Sequence, residues 1–360
     1  MPRPRTYHWL LASAVLAALG CGHSEPFVSA GVDQQGPYNG ADPLRLTFNS
    51  DAEYGASWTA DGKGILYSFA DPSRADHDRC LAILPAAGGT RLFTLCDNRP
   101  GHADSAETIA SGALSDDGEL LYLVGASLPI GQLPVNITLF HADTAAPFSR
   151  RTLLTLPRDV GGGLRPNWLT DVTWVGPDEF VAMATDLTLV PQCIGCALRD
   201  TVFNPLGVVR GTIGGNGAAM ELIEGTLGAS HFAVADGGAS LVISKGLTLS
   251  KLPRAGGALT TLTTLPATFS KRIDDISCRG SACVVLTYEQ QLEPEPPPPF
   301  FVDLWTLQRI STAGGAPTIL TQSFSTPWLQ AKVSPTGSDV VVRQGPPKTG
   351  DLYLLRNLLP

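Results

Sequence analysis

Residues 57–69 read SWTADGKGILYSF, and degraded copies of this stretch recur five more times along the 360-residue chain. GALSDDGELLYLV (112–124) and AKVSPTGSDVVVR (331–343) are the clearest echoes; DVTWVGPDEFVAM (171–183), FAVADGGASLVIS (232–244) and ISCRGSACVVLTY (276–288) are looser. Each is an apolar run, a tight turn built on Asp, Gly or Pro, and a second apolar run rich in Val, Leu and Tyr, which is the pattern of a β-hairpin. The turn glycines fall at Gly62, Gly118, Gly237, Gly280 and Gly337, with Gly176 or Asp178 marking the irregular third copy.

A second hairpin follows most copies of the first. CLAILPAAGGTRLFTLC (80–96), LTLSKLPRAGGALTTLTTL (247–265) and LWTLQRISTAGGAPTILTQ (304–322) share a Gly-Gly turn between alternating strands, and 136–156 and 207–225 are weaker versions. Two successive hairpins make a four-stranded antiparallel unit. Six units can be counted, but the last supplies only three strands, ending with DLYLLRN (351–357). The missing strand is found at the other end as PLRLTFN (43–49), just before the first copy. A deficit at one end matched by a surplus at the other predicts a closed ring without exposed sheet edges. The expected fold class is therefore all-β: a β-propeller of six four-stranded blades, closed by its N-terminal strand, forming one domain over 42–360.

The residues of the first copy carry a family resemblance. Ser57, Trp58, Asp61, Gly62, Lys63 and Ile65, preceded by RLTFN (45–49), resemble the TolB-type propeller repeat, with Ala60 in place of its usual proline; Ser334-Pro335-Thr336-Gly337 matches in the last copy. The resemblance implies a propeller architecture over 42–360. The N-terminal α/β domain of TolB is absent, so its envelope role is not carried over. Nor is there the G-x-S-x-G of the hydrolase domain that accompanies this repeat in prolyl oligopeptidase-like enzymes.

The N-terminus reads as an export signal. Arg3 and Arg5 form a positive n-region, and Trp9 to Leu19 an apolar core too short to span a bilayer. Ala18-Leu19-Gly20-Cys21 resembles a bacterial lipobox, which implies cleavage before Cys21 and lipidation of its thiol, a stable membrane anchor. Gly22 then favours the outer membrane or cell surface, and 22–41 is a polar tether. Without Arg3 and Arg5, 23 basic residues face 33 acidic ones and no basic cluster exists, so nucleic acid is not expected as a partner. With Cys21 acylated, six of the seven cysteines remain, and an even number in an exported chain suggests disulfides. Cys80 and Cys96 lie nearly symmetrically about the turn 86–89, Cys278 and Cys283 flank a short turn, and Cys193 and Cys196 form a C-x-x-C better suited to a loop disulfide than to redox catalysis or metal binding.

In a propeller the b–c and d–a connections emerge on one face and the a–b and c–d turns on the other. The long insertions here are b–c segments: 69–79, 125–135, 186–204 and 289–303. Length concentrated on one face predicts that this face binds something. Asp71, Asp76, His77 and Asp78, with Asp97, His102 and Asp104 in the following d–a loop, are the densest polar constellation. They could hold Zn²⁺ or Ca²⁺, but they lack any fixed ligand spacing, and a solvated polar loop is the favoured reading. No cofactor is expected. Pro294 and Pro296–Pro299 lead into Phe300 and Phe301, which either dock on a partner or pack on the propeller itself. No nucleophile elbow, P-loop or dinucleotide fingerprint is present. The expected function is a lipid-anchored, non-enzymatic module that binds an envelope protein or glycan. The alternative is an envelope hydrolase or lyase with its site in the central funnel, because propeller sites gather one residue per blade and leave no local motif.

Overall fold

The computed structural model describes residues 44–47, 53–70, 79–96, 107–126, 133, 135–191, 199–293, 300–324, 326–345 and 350–359. Blade one comprises β2 (Glu53–Trp58), β3 (Gly64–Ala70), β4 (Arg79–Pro85) and β5 (Phe93–Leu95), after the short β1 (Leu44–Arg45). Blade two follows as β6 (Glu107–Leu114), β7 (Glu119–Ala126), β8 (Val135–Asp143) and β9 (Arg151–Thr155). Blade three has β10 (Trp168–Gly176), β11 (Glu179–Pro191), β12 (Arg199–Gly214) and β13 (Gly217–Leu222). Blade four has β14 (His231–Ala235), β15 (Ser240–Lys245), β16 (Thr248–Pro253) and β17 (Thr260–Thr264). Blade five has β18 (Arg272–Arg279), β19 (Ala282–Glu293), β20 (Phe300–Ser311) and β21 (Thr318–Phe324). Blade six pairs β22 (Trp328–Val333), β23 (Val340–Gln344) and β24 (Asp351–Leu355) with β1, so the N-terminal strand completes the last sheet.

The repeat motif owes its form to the a–b turn. In the first copy the Thr59 hydroxyl accepts from the Gly64 N–H (2.8 Å), while Asp61 accepts from Thr59 Oγ1 and from the Lys63 N–H. Ser115 and Ser334 play the Thr59 role, accepting from Glu119 N–H and Asp339 N–H. Gly62, Gly118 and Gly337 follow with φ of +70°, +84° and +84°, a conformation costly for any residue with a Cβ. A hydroxyl three residues before a glycine is therefore the signature of one turn shared by blades one, two and six.

The core is distributed between blades. Six buried clusters each join two neighbouring blades, the last joining blade six to blade one. Period-two alternation explains this. Along β3, Ile65, Tyr67 and Phe69 face blade six, while Leu66 faces blade two. The b strands are buried on both sides and read as unbroken apolar runs.

Closure is secured by polar contacts as well as the ladder. Leu46 N–H donates to Leu352 O (2.7 Å), Arg45 pairs with Asp351 (2.7 Å), and the Thr47 hydroxyl accepts from Leu352 N–H. Disulfides join Cys80 to Cys96 and Cys278 to Cys283, as expected from their symmetry about the turns.

Candidate functional site

Two of the four b–c segments differ from their expected form. Most of 186–204 is strand: β11 and β12 stay paired from Thr185↔Pro205 to Pro191↔Arg199. Likewise β19 and β20 pair out to Glu293↔Phe300, so most of 289–303 is strand. Both hairpins continue past the blade as two-stranded ribbons, because alternation in DLTLVP and DTVFN carries the ladder on. In blade three, six pairs beyond the blade, Asp186↔Asn204 to Pro191↔Arg199, amount to roughly 20 Å of ribbon; blade five adds four, Gln290↔Asp303 to Glu293↔Phe300. Blade four, between them, turns from β15 to β16 through only Gly246 and Leu247. The b–c face therefore has a notch over blade four flanked by two raised arms.

The blade-five arm has a braced root and an apolar end. Tyr288 Oη and Gln290 Nε2 both donate to Asp303 Oδ1 (2.8 and 3.2 Å), and Glu289 takes a hydrogen bond from Thr268 and an ion pair from Lys271 (3.3 Å). Burial raises the Glu289 pKa, but these two partners outweigh it and hold the carboxyl below its ordinary value. Burial and the adjacent Asp303 push the Tyr288 phenol up. Farther out, Leu292 and Phe301 are cross-strand partners, and Phe301 stacks on Phe269 of the preceding d–a connection (ring centroids 6.0 Å apart). Phe301 is 58% exposed and Phe269 72%. The blade-three arm likewise exposes Val190 and Phe203. Of the two phenylalanines singled out in the sequence, Phe301 thus stands on solvent, and Phe300 contributes main chain to β20. Cys21, Cys193 and Cys196, and the constellation Asp71, Asp76, His77, Asp78, Asp97, His102 and Asp104, lie outside the described residues. Among the described residues no group of His, Cys, Asp and Glu is arranged to hold a metal ion.

The centre of the ring holds charges that no local motif announces. Lys332 of β22 extends its ammonium to Asp275 Oδ1 in blade five (2.8 Å) and to Asp171 Oδ1 in blade three, on the opposite side of the ring (3.0 Å). Asp275 also accepts main-chain N–H groups from Ile276 (2.8 Å) and Ala331 (2.9 Å). The Lys332 and Asp275 side chains are 15% and 7% exposed, and Asp171 33%. Burial pushes the Asp275 carboxyl above its ordinary value despite Lys332. At Asp171 burial acts the same way, but the ammonium outweighs it and the carboxyl is held low. Burial depresses Lys332, and the two carboxylates overcome it, so the ammonium is held above its usual range. Asp171 sits in a bulge of β10 with φ +50°, a strained position that Asp tolerates better than most residues.

The inner strands would otherwise leave an unpaired edge on this channel. Neighbouring side chains cover it: Ser277 accepts from Val333 N–H, Gln330 from Ala56 N–H, and the indole N–H groups of Trp58 and Trp174 donate to Lys332 O and Ala113 O. Between the triad and the a–b turns of all six blades lies a cavity of about 650 Å³. The face opposite the long b–c segments thus carries a mouth of the channel. Long loops are not needed for this, since short turns leave the axis open.

The chain is a six-bladed β-propeller. Solved structures of similar shape include a gluconolactonase of Xanthomonas campestris (13% identity, 88% of this chain and 89% of that one, TM-score 0.50). A luciferin-regenerating enzyme (12%, 90% and 94%, TM-score 0.46) and the β-propeller domain of Myceliophteria thermophila Cps50 (10%, 86% and 98%, TM-score 0.44) are also similar. At these identities the likeness concerns the fold alone. No family model matches the chain, and no curated protein matches it.

Proposed function

We propose that this chain is a non-enzymatic binding module with a TolB-type repeat, anchored in the bacterial outer membrane or at the cell surface through lipidated Cys21, and that it docks an envelope protein on its b–c face. The observation that carries the reading is the pair of ribbons flanking blade four, with Phe269, Phe301 and Leu292 exposed together on a braced root. Fully burying one such aromatic is worth about 1.5–3 kcal/mol, enough for a small cluster to act as the anchor of an interface. Supporting it from the other side, the charged groups at the centre of the ring are engaged with one another: Lys332 serves two carboxylates, and Asp275 accepts from both main chain and ammonium. A glycan partner would use the same arms but would draw more on their polar roots.

The test is affinity capture from detergent-solubilised envelopes with the full-length chain and with the double variant F269S/F301S. Loss of a wild-type-specific partner in the variant, with an unchanged melting temperature, is the expected result. Equal capture by both forms refutes a role for this cluster. For the anchor, the expected outcome is that C21S moves the protein from the detergent-rich to the aqueous phase in cloud-point partition. A wild-type protein already in the aqueous phase overturns the lipoprotein reading.

A further inference from the structure

We propose that the a–b end of the central channel is a binding site for a small organic cation, a ligand carrying one or two ammonium groups. It lies on the opposite face from the ribbons and does not depend on their role. A volume of about 650 Å³ is that of a small-molecule pocket. Its walls include Trp58 and Trp174, both half-buried and held in place by their indole hydrogen bonds at 2.8 and 3.2 Å. Its floor is Asp171 beside Lys332, and its rim carries Asp116 and Asp117 of the second a–b turn opposite a single guanidinium, Arg279.

Charge accounting selects the ligand class. The Lys332 ammonium is already shared between Asp171 and Asp275, so the floor offers no free positive charge, while the partly exposed Asp171 carboxylate turns toward the cavity. Asp236, also on the wall, is matched by Lys251 (2.7 Å). Asp116 and Asp117 then outnumber Arg279. A concave, low-dielectric wall with surplus negative charge repels anions and concentrates cations. Asp171 gives Oδ1 to Lys332, and a third of its side chain remains exposed. Aromatic faces add the second element of ammonium recognition, worth about 0.5–2 kcal/mol each. Asp171 remains ionised at neutral pH, since Lys332 holds its carboxyl low.

The experiment titrates the full chain with putrescine and with choline at low ionic strength, read by calorimetry and tryptophan fluorescence, with glucose and sodium chloride as controls. Saturable binding of at least one amine at about 1 mM or tighter, and none of glucose, is expected. D171N, whose side chain suits the same left-handed backbone, should weaken that binding about tenfold or more. The exposed-rim variant D116N/D117N should weaken it several-fold without moving the melting temperature. Absence of saturation with both amines overturns the site, as does glucose binding in their place. Wild-type affinity in D116N/D117N together with wild-type affinity in a folded D171N also overturns it; should D171N not fold, the rim variant alone decides.

Discussion

Replacing Lys332 by methionine removes the one cation that holds two carboxylates across the ring. Methionine preserves much of the side-chain volume, so the loss is electrostatic rather than a cavity. The contacts broken are 2.8 Å to Asp275 and 3.0 Å to Asp171. Truncating one partner of a buried pair costs about 3–5 kcal/mol, because the other charge stays behind. Asp275, 7% exposed, should incur that penalty in full, whereas Asp171, a third exposed, is partly screened by channel water. The expected loss is therefore at the lower end, about 3 kcal/mol. At about 2 cal/mol/K of unfolding entropy per residue, a domain of this size should melt about 5 °C lower. The pH dependence gives a second handle. Burial already raises the Asp275 carboxyl, so its ionised form burdens the fold, and that burden disappears as acid protonates it. In the wild type Lys332 offsets part of that burden, so acid relieves it less than it relieves K332M. The depressed Asp171 carboxyl keeps its contribution down to its unfolded value at about pH 4, losing it only as pH falls further through the folded value. The gap between K332M and wild type should accordingly narrow from about pH 7 to about pH 4. The charge-free triple variant K332M/D171N/D275N should regain most of the loss. Differential scanning calorimetry at both pH values is the assay. A K332M midpoint within about 1 °C of wild type at neutral pH, or a gap that does not shrink in acid, refutes the reasoning.

Three further predictions concern the fold. Gly211 faces Phe180 across the β11–β12 ladder, and a Cβ there would lie 2.0 Å from the ring; G211A should cost about 3 kcal/mol, read as a lower denaturation midpoint, with F180L relieving part of it. The double variant C80A/C96A opens a loop with a sequence separation of 16 and should lose about 3 kcal/mol, against about 2 for C278A/C283A with a separation of 5, both measured by urea unfolding. Leu46 is buried at the seam between the first and last blades, so L46A should destabilise by about 2–5 kcal/mol and make that seam the first region to exchange its amide hydrogens.

Much of this architecture is local and could therefore be read locally. Thr59-Ala-Asp61-Gly62 and its echoes declare a turn because hydroxyl, carboxylate and glycine each do a job within five residues. The missing fourth strand of blade six was legible for the same reason, as a surplus RLTF before the first copy. The ribbons were harder to read. Pro191 at the end of β11 and the two cysteines that follow it, and five prolines between β19 and β20, mask an alternation that continues on both sides. The central triad was not found, since its members come from three blades and meet only when the ring closes. One trace of it is present: Asp171, Asp275 and Lys332 each stand five residues before a turn glycine, at Gly176, Gly280 and Gly337. A charged residue at the same offset from the turn glycine in three inner strands is a periodic signal, visible only once the copies are aligned.

The seam of blade six has a consequence in time. Arg45 and Asp351 are 306 residues apart, so the first described strand of the ring pairs with the last. At about 5–20 residues per second, β1 waits roughly 15–60 s for its partner to exist. Over that interval a long, sticky strand would be a hazard, able to template pairing with whatever edge passes. Two residues of ladder are too few to do so, and the rest of the grip comes from side chains, Arg45 and Thr47 on Asp351, that recognise only the finished end. The brevity of β1 makes it a latch that stays open during assembly and closes once.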